Sequence, residues 1–279
     1  MTSAEFFVPA DLQNALEVLG RNESVKILAG GTDLWPKWTS EGNKPQRVLS
    51  LHSIKELRAI DEEEGELRIG ATCTHADLIR SDLVQKACPG LVQAASEVGA
   101  IQIQNRGTIG GNLSNASPAA DLPPPLVAAG AKVELASTKG TRIVPLNLFF
   151  TGYRTLDLRS DELLTAVLVP FLPQGAKEFF RKVGTRKAQA ISKVVGSCRL
   201  QTNPDGTIAS VGIAFGSVGP TVIRMYDLEK WLTGRAAGPE TASEAAELAE
   251  KRVQPIDDLR SSAEYRRHVV GRLVYSWIV

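Results

Sequence analysis

Apolar residues near the amino terminus recur three and four positions apart, and this spacing predicts a short helix that ends at Gly20. The residues of its apolar face are Leu12, Ala15, Leu16 and Leu19. The apolar run at 25–28 then predicts a buried strand, which ends abruptly in the sequence Ala-Gly-Gly-Thr-Asp at 29–33. The turn after this strand is therefore the first candidate site.

Two further strands and two helices are predicted between residues 48 and 98. The segments 48–51 and 66–71 have the short apolar or alternating patterns of strands. Thr74 and Asp77 form a pattern that starts a helix, and we expect this helix to extend through Leu83. The next helix is indicated by the apolar positions Leu91, Ala95 and Val98.

An irregular stretch is predicted at 105–121, because glycines interrupt its apolar pattern. We expect Asp121 to be the N-cap of a short apolar helix that has prolines in its first turn and ends at Gly130. Alternating residues on either side of Lys139 and Gly140 then predict a hairpin. The glycines of the irregular stretch, Gly107, Gly110 and Gly111, form the second candidate site.

The pattern changes after Pro170 and Pro173, where three apolar segments are followed by three helical ones. Strands are predicted near 179–183, 190–200 and 208–215, with a turn at Asp205 and Gly206. Helices are predicted at 226–232, 240–251 and 263–275. Strands that precede helices in this way predict a separate α+β domain, with a boundary at about 172–176.

Composition narrows the class of protein. The chain has 279 residues, of which 43% are hydrophobic, so it can build substantial cores without disulfides or structural metals. Its 32 basic residues nearly balance its 31 acidic ones, which argues against nucleic acid or an anionic membrane as the main partner. Because no leader pattern and no long apolar window is found, we expect a cytoplasmic protein with no membrane span.

No metal or hydrolytic site stands out in the sequence. The cysteines lack any C-x-x-C spacing, so we interpret Cys73, Cys88 and Cys198 as buried free thiols. The histidines join no recognisable catalytic motif, and we interpret them as surface or packing residues. They are His52, His75 and His268.

The two glycine-rich segments, 29–33 and 107–112, suit the binding of an anion. Glycine lacks a Cβ atom, so the backbone can adopt positive φ and a phosphate can approach its N–H groups closely. Two such loops could hold the diphosphate of a dinucleotide. Neither loop matches the G-x-G-x-x-G or G-x-x-x-x-G-K-[ST] pattern, which argues against Rossmann and Walker sites. The alternative that both are simply tight turns stays open.

Longer strings around these loops are more specific. They are Ala29-Gly30-Gly31-Thr32-Asp33-Leu34, Asn105-Arg106-Gly107-Thr108-Ile109-Gly110-Gly111-Asn112 and Ser114-Asn115-Ala116-Ser117-Pro118-Ala119-Ala120-Asp121-Leu122-Pro123. Three shorter strings follow, Gly152-Tyr153-Arg154, Asp161-Glu162-Leu163-Leu164 and Ser262-Ala263-Glu264-Tyr265-Arg266-Arg267. Over nearly the whole chain and in the expected order, they resemble the flavoprotein subunits of molybdenum hydroxylases such as xanthine dehydrogenase and carbon monoxide dehydrogenase.

The resemblance implies an α+β fold. A two-lobed FAD-binding domain of the vanillyl-alcohol-oxidase type would span 1–173, with lobes at about 1–52 and 53–173. A C-terminal domain at 174–279 would contain a three-stranded antiparallel sheet and helices. The implied FAD contacts are Leu28, Ala29, Gly30, Gly31, Thr32, Asp33, Gly107, Thr108, Gly110, Gly111, Asn112, Asn115, Asp121, Leu164 and Lys182. FAD is expected to be non-covalent, because neither glycine loop contains His or Cys.

The resemblance also implies partners. A small subunit would carry two [2Fe–2S] clusters, and a large subunit would carry a molybdenum cofactor. Electrons would pass through the clusters to FAD and then to NAD or another acceptor, and we assign no catalytic residue in this chain. The segment 182–192, with Gln189, is more similar to the xanthine dehydrogenase branch. A stand-alone FAD oxidoreductase and a non-redox nucleotide-binding module are the alternatives.

Overall fold

A computed structural model describes residues 4–21, 24–42 and 45–279. The chain begins with a small parallel sheet of three strands, β1 (Glu5–Phe7), β2 (Lys26–Leu28) and β3 (Arg47–Ser50), in the order β1-β3-β2. Helices α1 (Leu12–Gly20) and α2 (Leu34–Glu41) connect them. The predicted helix after Asp11 is confirmed, since the Asp11 carboxylate accepts from the N–H of Asn14 at 2.8 Å. Strand β2 lies at one edge of this sheet.

An antiparallel sheet of five strands follows. Its strands are β4 (Ile60–Glu63), β5 (Glu66–Gly70), β6 (Lys132–Ser137), β7 (Gly140–Pro145) and β10 (Leu163–Pro170), in the order β4-β5-β10-β6-β7. The predicted hairpin is confirmed as β6 and β7. The central strand β10 was not predicted, although its continuous apolar run is typical of a strand that is buried on both faces.

Short helices cover the antiparallel sheet and carry the second glycine segment. They are α3 (His75–Arg80), α4 (Asp82–Ala87), α5 (Pro89–Ser96), α6 (Ile101–Gln104), α7 (Ile109–Ser114), α8 (Pro123–Ala128) and α9 (Leu146–Phe149). A small two-stranded sheet of β8 (Phe150–Gly152) and β9 (Thr155–Leu156) follows α9, and a 3₁₀ turn spans Lys55–Arg58.

Three local expectations in this region are wrong. The helix predicted to extend from Thr74 to Leu83 ends at Arg80, because Ser81 takes an extended conformation and its hydroxyl caps α4. The stretch 105–121 is not wholly irregular, since it contains α7. Asp121 is not an N-cap, because Leu122 holds that position and the Asp121 carboxylate pairs with Lys182 instead.

The carboxyl-terminal part contains an antiparallel sheet of β11 (Lys177–Val183), β12 (Val194–Thr202), β13 (Ile208–Gly216) and β14 (Ile223–Arg224). The expected sheet had three strands, and the difference is β14, whose two residues are too few to show alternation in a sequence. Three helices follow, α10 (Tyr226–Leu232), α11 (Pro239–Arg252) and α12 (Ala263–Ile278). Phe215 and Trp277 stack at 5.4 Å in the core between sheet and helices.

Buried ion pairs join this sheet to the helices of the preceding region. Glu178 on β11 is fully buried, accepts from the N–H of Gly90 at 2.9 Å and pairs with Arg199 at 3.3 Å. Arg199 also donates to the carbonyl oxygen of Ala87 at 2.9 Å. Lys182 reaches Asp121. The boundary at 172–176 stays a prediction, and the regions on either side of it share these polar contacts.

Within the described residues, no helix is both long and apolar enough to cross a bilayer. The same residues contain no group of three or more His, Cys, Asp or Glu side chains that could hold a metal ion. The three thiols are buried, as expected, and burial raises the pKa of Cys73 to about 12.

Candidate functional site

A cleft of about 460 Å³ lies between the carboxyl end of β2 and the start of α7. It is the meeting point of the two glycine segments. Its lining residues are Ile27, Ala29, Gly30, Gly31, Thr32, Asp33, Leu34, Lys37, Leu51, Ala71, His75, Val98, Ile103, Gly107, Thr108, Gly110, Gly111, Asn112, Ser114, Asn115, Leu158, Leu163 and Leu164. An apolar cleft with a few polar groups is the usual form of a cofactor site.

The first glycine loop, defined as residues 29–33, leaves strand β2 and enters helix α2. Gly31 has φ +75°, a conformation that side-chain-bearing residues rarely adopt. Throughout the described residues, no acceptor bonds the backbone N–H groups from Gly30 to Leu34. Such a run of free N–H groups at a helix amino terminus is well suited to an anion.

The second glycine loop, defined as residues 107–112, is built differently. The N–H groups of Ile109 and Gly110 donate to the carbonyl oxygens of Cys73 and Ala71, each at 2.9 Å. The N–H of Gly111 donates to the hydroxyl of its N-cap, Thr108, at 3.0 Å. The start of α7 is therefore fixed to the segment 71–73. The expectation of positive φ is wrong for this loop, because none of its glycines has positive φ and Gly110 and Gly111 lie in the first turn of α7.

The two loops touch each other through glycine. A Cβ atom on Gly30 would lie 1.9 Å from the carbonyl oxygen of Arg106, and one on Gly110 would lie 2.6 Å from that of Ala71. A Cβ on Gly107 would lie 3.0 Å from the ring of His75. These glycines are required by backbone packing. Gly111 is exposed, and its Cβ position is crowded only by the Thr108 hydroxyl at 2.9 Å.

The structure gathers most of the predicted contacts in this one cleft. Those that line it are Ala29, Gly30, Gly31, Thr32, Asp33, Gly107, Thr108, Gly110, Gly111, Asn112, Asn115 and Leu164. The exceptions, Leu28, Asp121 and Lys182, do not line it. Sequence reasoning missed His75, because nothing in its neighbourhood marks it except the preceding N-cap, Thr74. It also missed Lys37 and the apolar wall that includes Val98 and Ile103.

Lys182 and Asp121 form a buried ion pair behind the cleft. The Lys182 ammonium lies 2.6 Å from the Asp121 carboxylate and donates to the carbonyl oxygen of Glu97 at 2.9 Å. Burial raises the pKa of Asp121 to about 6, while the attraction of Lys182 acts in the opposite direction. Because Glu97 precedes Val98, this pair supports one wall of the cleft.

Some polar side chains in the cleft have partners within the protein, and others have none. Lys37 pairs with Asp33 at 2.8 Å, and Arg154 donates to Oδ1 of Asn115 at 3.1 Å. Two buried atoms of the described residues have no hydrogen-bond partner here, Oδ1 of Asn112 and Nδ1 of His75. Burial lowers the pKa of His75 to about 4, so its ring is neutral near pH 7. Unpaired buried polar atoms are costly, and the other ring nitrogen of His75, Nε2, also lacks a partner but is not fully enclosed, which leaves it open to a ligand.

Comparison with known proteins decides the family. Residues 2–172 match the family described as "FAD binding domain in molybdopterin dehydrogenase", and residues 179–278 match "CO dehydrogenase flavoprotein C-terminal domain". The chain belongs to this flavoprotein family. The flavoprotein is 33% identical to the xanthine dehydrogenase FAD-binding subunit of Escherichia coli, over 96% of this chain and 92% of that one. It is also 33% identical to the carbon monoxide dehydrogenase medium chain of Hydrogenophaga pseudoflava, over 97% and 94% of the two chains.

Solved structures agree with this assignment. Reconstituted carbon monoxide dehydrogenase from Oligotropha carboxidovorans superimposes with a TM-score of 0.93 at 29% identity, over 98% of this chain and 96% of that one. The expected α+β fold is thereby confirmed. The flavoprotein is an FAD-binding subunit of the xanthine dehydrogenase and carbon monoxide dehydrogenase type, and so part of an oxidoreductase.

The residues of the cleft fit an FAD molecule. Free N–H groups of the first loop suit a diphosphate, the apolar wall suits a flavin ring, and the unpaired ring of His75 suits a further polar group of FAD. The positive charge of Lys37 contributes little to anion binding in the cleft, because the carboxylate of Asp33 already neutralises it.

Proposed function

We propose that this flavoprotein holds FAD non-covalently in the cleft between its two glycine loops and relays electrons within a molybdenum hydroxylase. The residues assigned to the cofactor are Leu28, Ala29, Gly30, Gly31, Thr32, Asp33, Gly107, Thr108, Gly110, Gly111, Asn112, Asn115, Asp121, Leu164 and Lys182. The observation that supports this most is the run of free N–H groups in the first loop, which lines the cleft together with the second loop.

The residues would act in different ways. The N–H groups from Gly30 to Leu34 would bind the diphosphate, and Gly111 would leave the space that a close approach requires. Leu164 would contribute to the apolar wall. Lys182 and Asp121 would act through the wall segment that they hold at Glu97, rather than by direct contact.

The chemistry of electron transfer would belong to the FAD itself, which accepts and releases electrons. The flavoprotein would bind the cofactor, orient it and exclude water from its buried side. We assign no proton donor or acceptor for catalysis among its residues. The neutral state of His75 agrees with this, since burial keeps its pKa far below neutral pH.

The partners follow from the family. We propose a small subunit with two [2Fe–2S] clusters and a large subunit with the molybdenum cofactor, which would choose and hydroxylate the substrate. The electrons would leave FAD for NAD or another acceptor. A cytoplasmic location stays a prediction. In the named relatives, the medium chain or FAD-binding subunit is a separate polypeptide of nearly the same length as this one.

Acid precipitation tests the non-covalent binding of FAD. The purified yellow protein should release its flavin to the supernatant when it is denatured with acid. Neither glycine loop contains His or Cys, so the loops offer no tether. Flavin that remains with the washed pellet would contradict this part of the proposal and would point to His75, the histidine that lines the cleft.

Anaerobic reduction tests the relay. A purine, aldehyde or N-heterocycle that the whole complex oxidises should leave the flavin absorbance of the isolated chain, at roughly 450 nm for this cofactor, unchanged. The same substrate should bleach it once both partner subunits are added. Bleaching of the isolated chain by substrate would favour a stand-alone FAD oxidoreductase, and a colourless protein that binds nucleotide would favour a non-redox module.

A further inference from the structure

His75 is held firmly in the wall of the cleft and yet uses neither ring nitrogen. It is the first residue of α3, only 2% exposed, and its N–H donates to the carbonyl oxygen of Gly107 at 3.0 Å. The ring lies against the same glycine, because a Cβ there would be 3.0 Å from its Cδ2 and Nε2 atoms. Among the described residues no side chain or carbonyl group bonds the ring, and Nδ1 is fully buried.

The burial of an unpaired ring nitrogen has a cost that packing alone does not explain. A leucine at this position would fill the apolar surroundings without an unsatisfied polar atom. Asn112, in the same cleft, has the same feature, since its buried Oδ1 also lacks a partner. The other ring nitrogen of His75, Nε2, also has no hydrogen-bond partner among the described residues and is not one of these enclosed atoms, so a ligand in the cleft can reach it.

The chemistry of these atoms limits what the ligand group can be. A neutral imidazole offers one N–H and one lone pair, and a hydroxyl group can meet either. The free N–H groups of the first loop are better suited to the phosphates, because they can only donate.

We propose that the ring of His75 hydrogen-bonds a hydroxyl group of bound FAD, from its ribityl chain or its adenosine ribose. His75 is thus a binding residue for the cofactor, in addition to those assigned above, and this inference rests on the proposed binding of FAD in the cleft. Burial, which lowers the pKa of His75 to about 4, keeps the ring in the neutral form that suits a hydroxyl partner.

The test compares His75→Leu, His75→Gln and wild type as full-length chains stripped of flavin. Titration with FAD, followed by quenching of flavin fluorescence, should show about tenfold weaker binding for His75→Leu, the size of one lost hydrogen bond in a buried site. His75→Gln, which keeps a polar group near the position of Nε2, should recover part of that loss. His268→Leu, on an exposed part of α12, is the matched control and should bind as wild type does.

Thermal unfolding of the stripped proteins separates binding from packing. Without FAD, His75→Leu should melt at a higher temperature than wild type, because it removes the unpaired polar atom. The result that would overturn the proposal is either wild-type affinity for FAD in His75→Leu or a lower melting temperature that accounts for the weaker binding. If wild type itself fails to bind FAD, the proposed function fails before this inference is reached.

Competition with fragments identifies the hydroxyl group. FMN contains the ribityl chain without the adenosine ribose, and ADP contains the ribose without the ribityl chain. Weaker competition by FMN alone in His75→Leu would assign His75 to the ribityl chain, and weaker competition by ADP alone would assign it to the ribose. Equal competition by both fragments in variant and wild type would contradict the proposal.

Discussion

The two glycine loops of this flavoprotein look alike in sequence and differ in what their backbone N–H groups do. In the first loop, the N–H groups from Gly30 to Leu34 have no partner among the described residues. In the second, the N–H groups of Ile109 and Gly110 are bonded to the segment 71–73. The first loop therefore offers donors to a ligand, and the second offers a fixed surface.

The difference shows that glycine serves two purposes at this site. Gly31 is needed for its positive φ, which lets the chain turn from β2 into α2. Gly30 and Gly110 are needed because carbonyl oxygens occupy the space of a side chain. A ligand can approach the backbone closely at Gly111, since the Cβ position there meets only a hydroxyl group of the same loop.

The largest effect is expected at the contact between the loops. Gly30→Val would place its Cβ 1.9 Å from the carbonyl oxygen of Arg106, so the loops must separate. We expect the free energy of unfolding to fall by about 3 kcal/mol or more, with loss of FAD. Urea denaturation and flavin content measure both. Gly238→Val is the control, because nothing lies within 4 Å of that Cβ position and the backbone is extended there. A Gly30→Val protein with wild-type stability and wild-type flavin content would contradict the close contact between Gly30 and Arg106.

Gly111→Val separates ligand approach from folding. The branched side chain would occupy the open side of α7 and block the cofactor, while the fold is kept because Gly111 is exposed. We expect FAD affinity to fall at least about a hundredfold, with a loss of only about 1 kcal/mol in stability, because the new Cβ displaces the Thr108 hydroxyl that caps α7. Equilibrium titration with FAD is the measurement, and unchanged flavin occupancy would remove this loop from the site.

Acid should loosen the second loop through His75, which packs against Gly107. The pKa of His75 is about 4 when folded against 6.5 when unfolded, so the unfolded chain binds more protons between these values. Stability from this group is present above pH 6.5 and decreases, by about 3 kcal/mol, as pH falls toward 4.

Asp121 acts in the opposite direction in the same range, because its pKa is raised to about 6. The measurement is therefore the difference in stability between wild type and His75→Leu at several pH values. This difference should grow steadily in favour of the variant as pH falls. A difference that does not change with pH would mean that the His75 ring is not buried in the neutral form.

The smallest effect concerns the cap of α7. Thr108→Ala removes the hydroxyl that accepts from the N–H of Gly111, and we expect a loss of about 1 kcal/mol in stability together with several-fold weaker binding of FAD. Ser262→Ala is the matched control, since it removes the cap of α12 far from the cleft. It should lose similar stability and keep its affinity for FAD. Equal affinities in the two variants would contradict the role of the cap in the site.

Local rules predicted most of the carboxyl-terminal region and several elements of the middle, including the hairpin of β6 and β7. The helix at Tyr226–Leu232 and the hairpin around Asp205 and Gly206 match their predicted positions, because amphipathic spacing and turn residues act over a few positions. Strand β10 and helix α7 were missed. One is buried on nearly its whole length, and the other begins among glycines.

The sequence by itself determined the family, the two glycine loops and most of the residues that line the cleft, because each loop is a continuous string whose chemistry is visible in its letters. Only the tertiary structure decided which N–H groups stay free, that Lys182 holds Asp121 and that His75 enters the cleft wall. Those facts depend on contacts between segments far apart in the chain. No local pattern encodes such contacts, because burial and partnership arise only when the segments pack together.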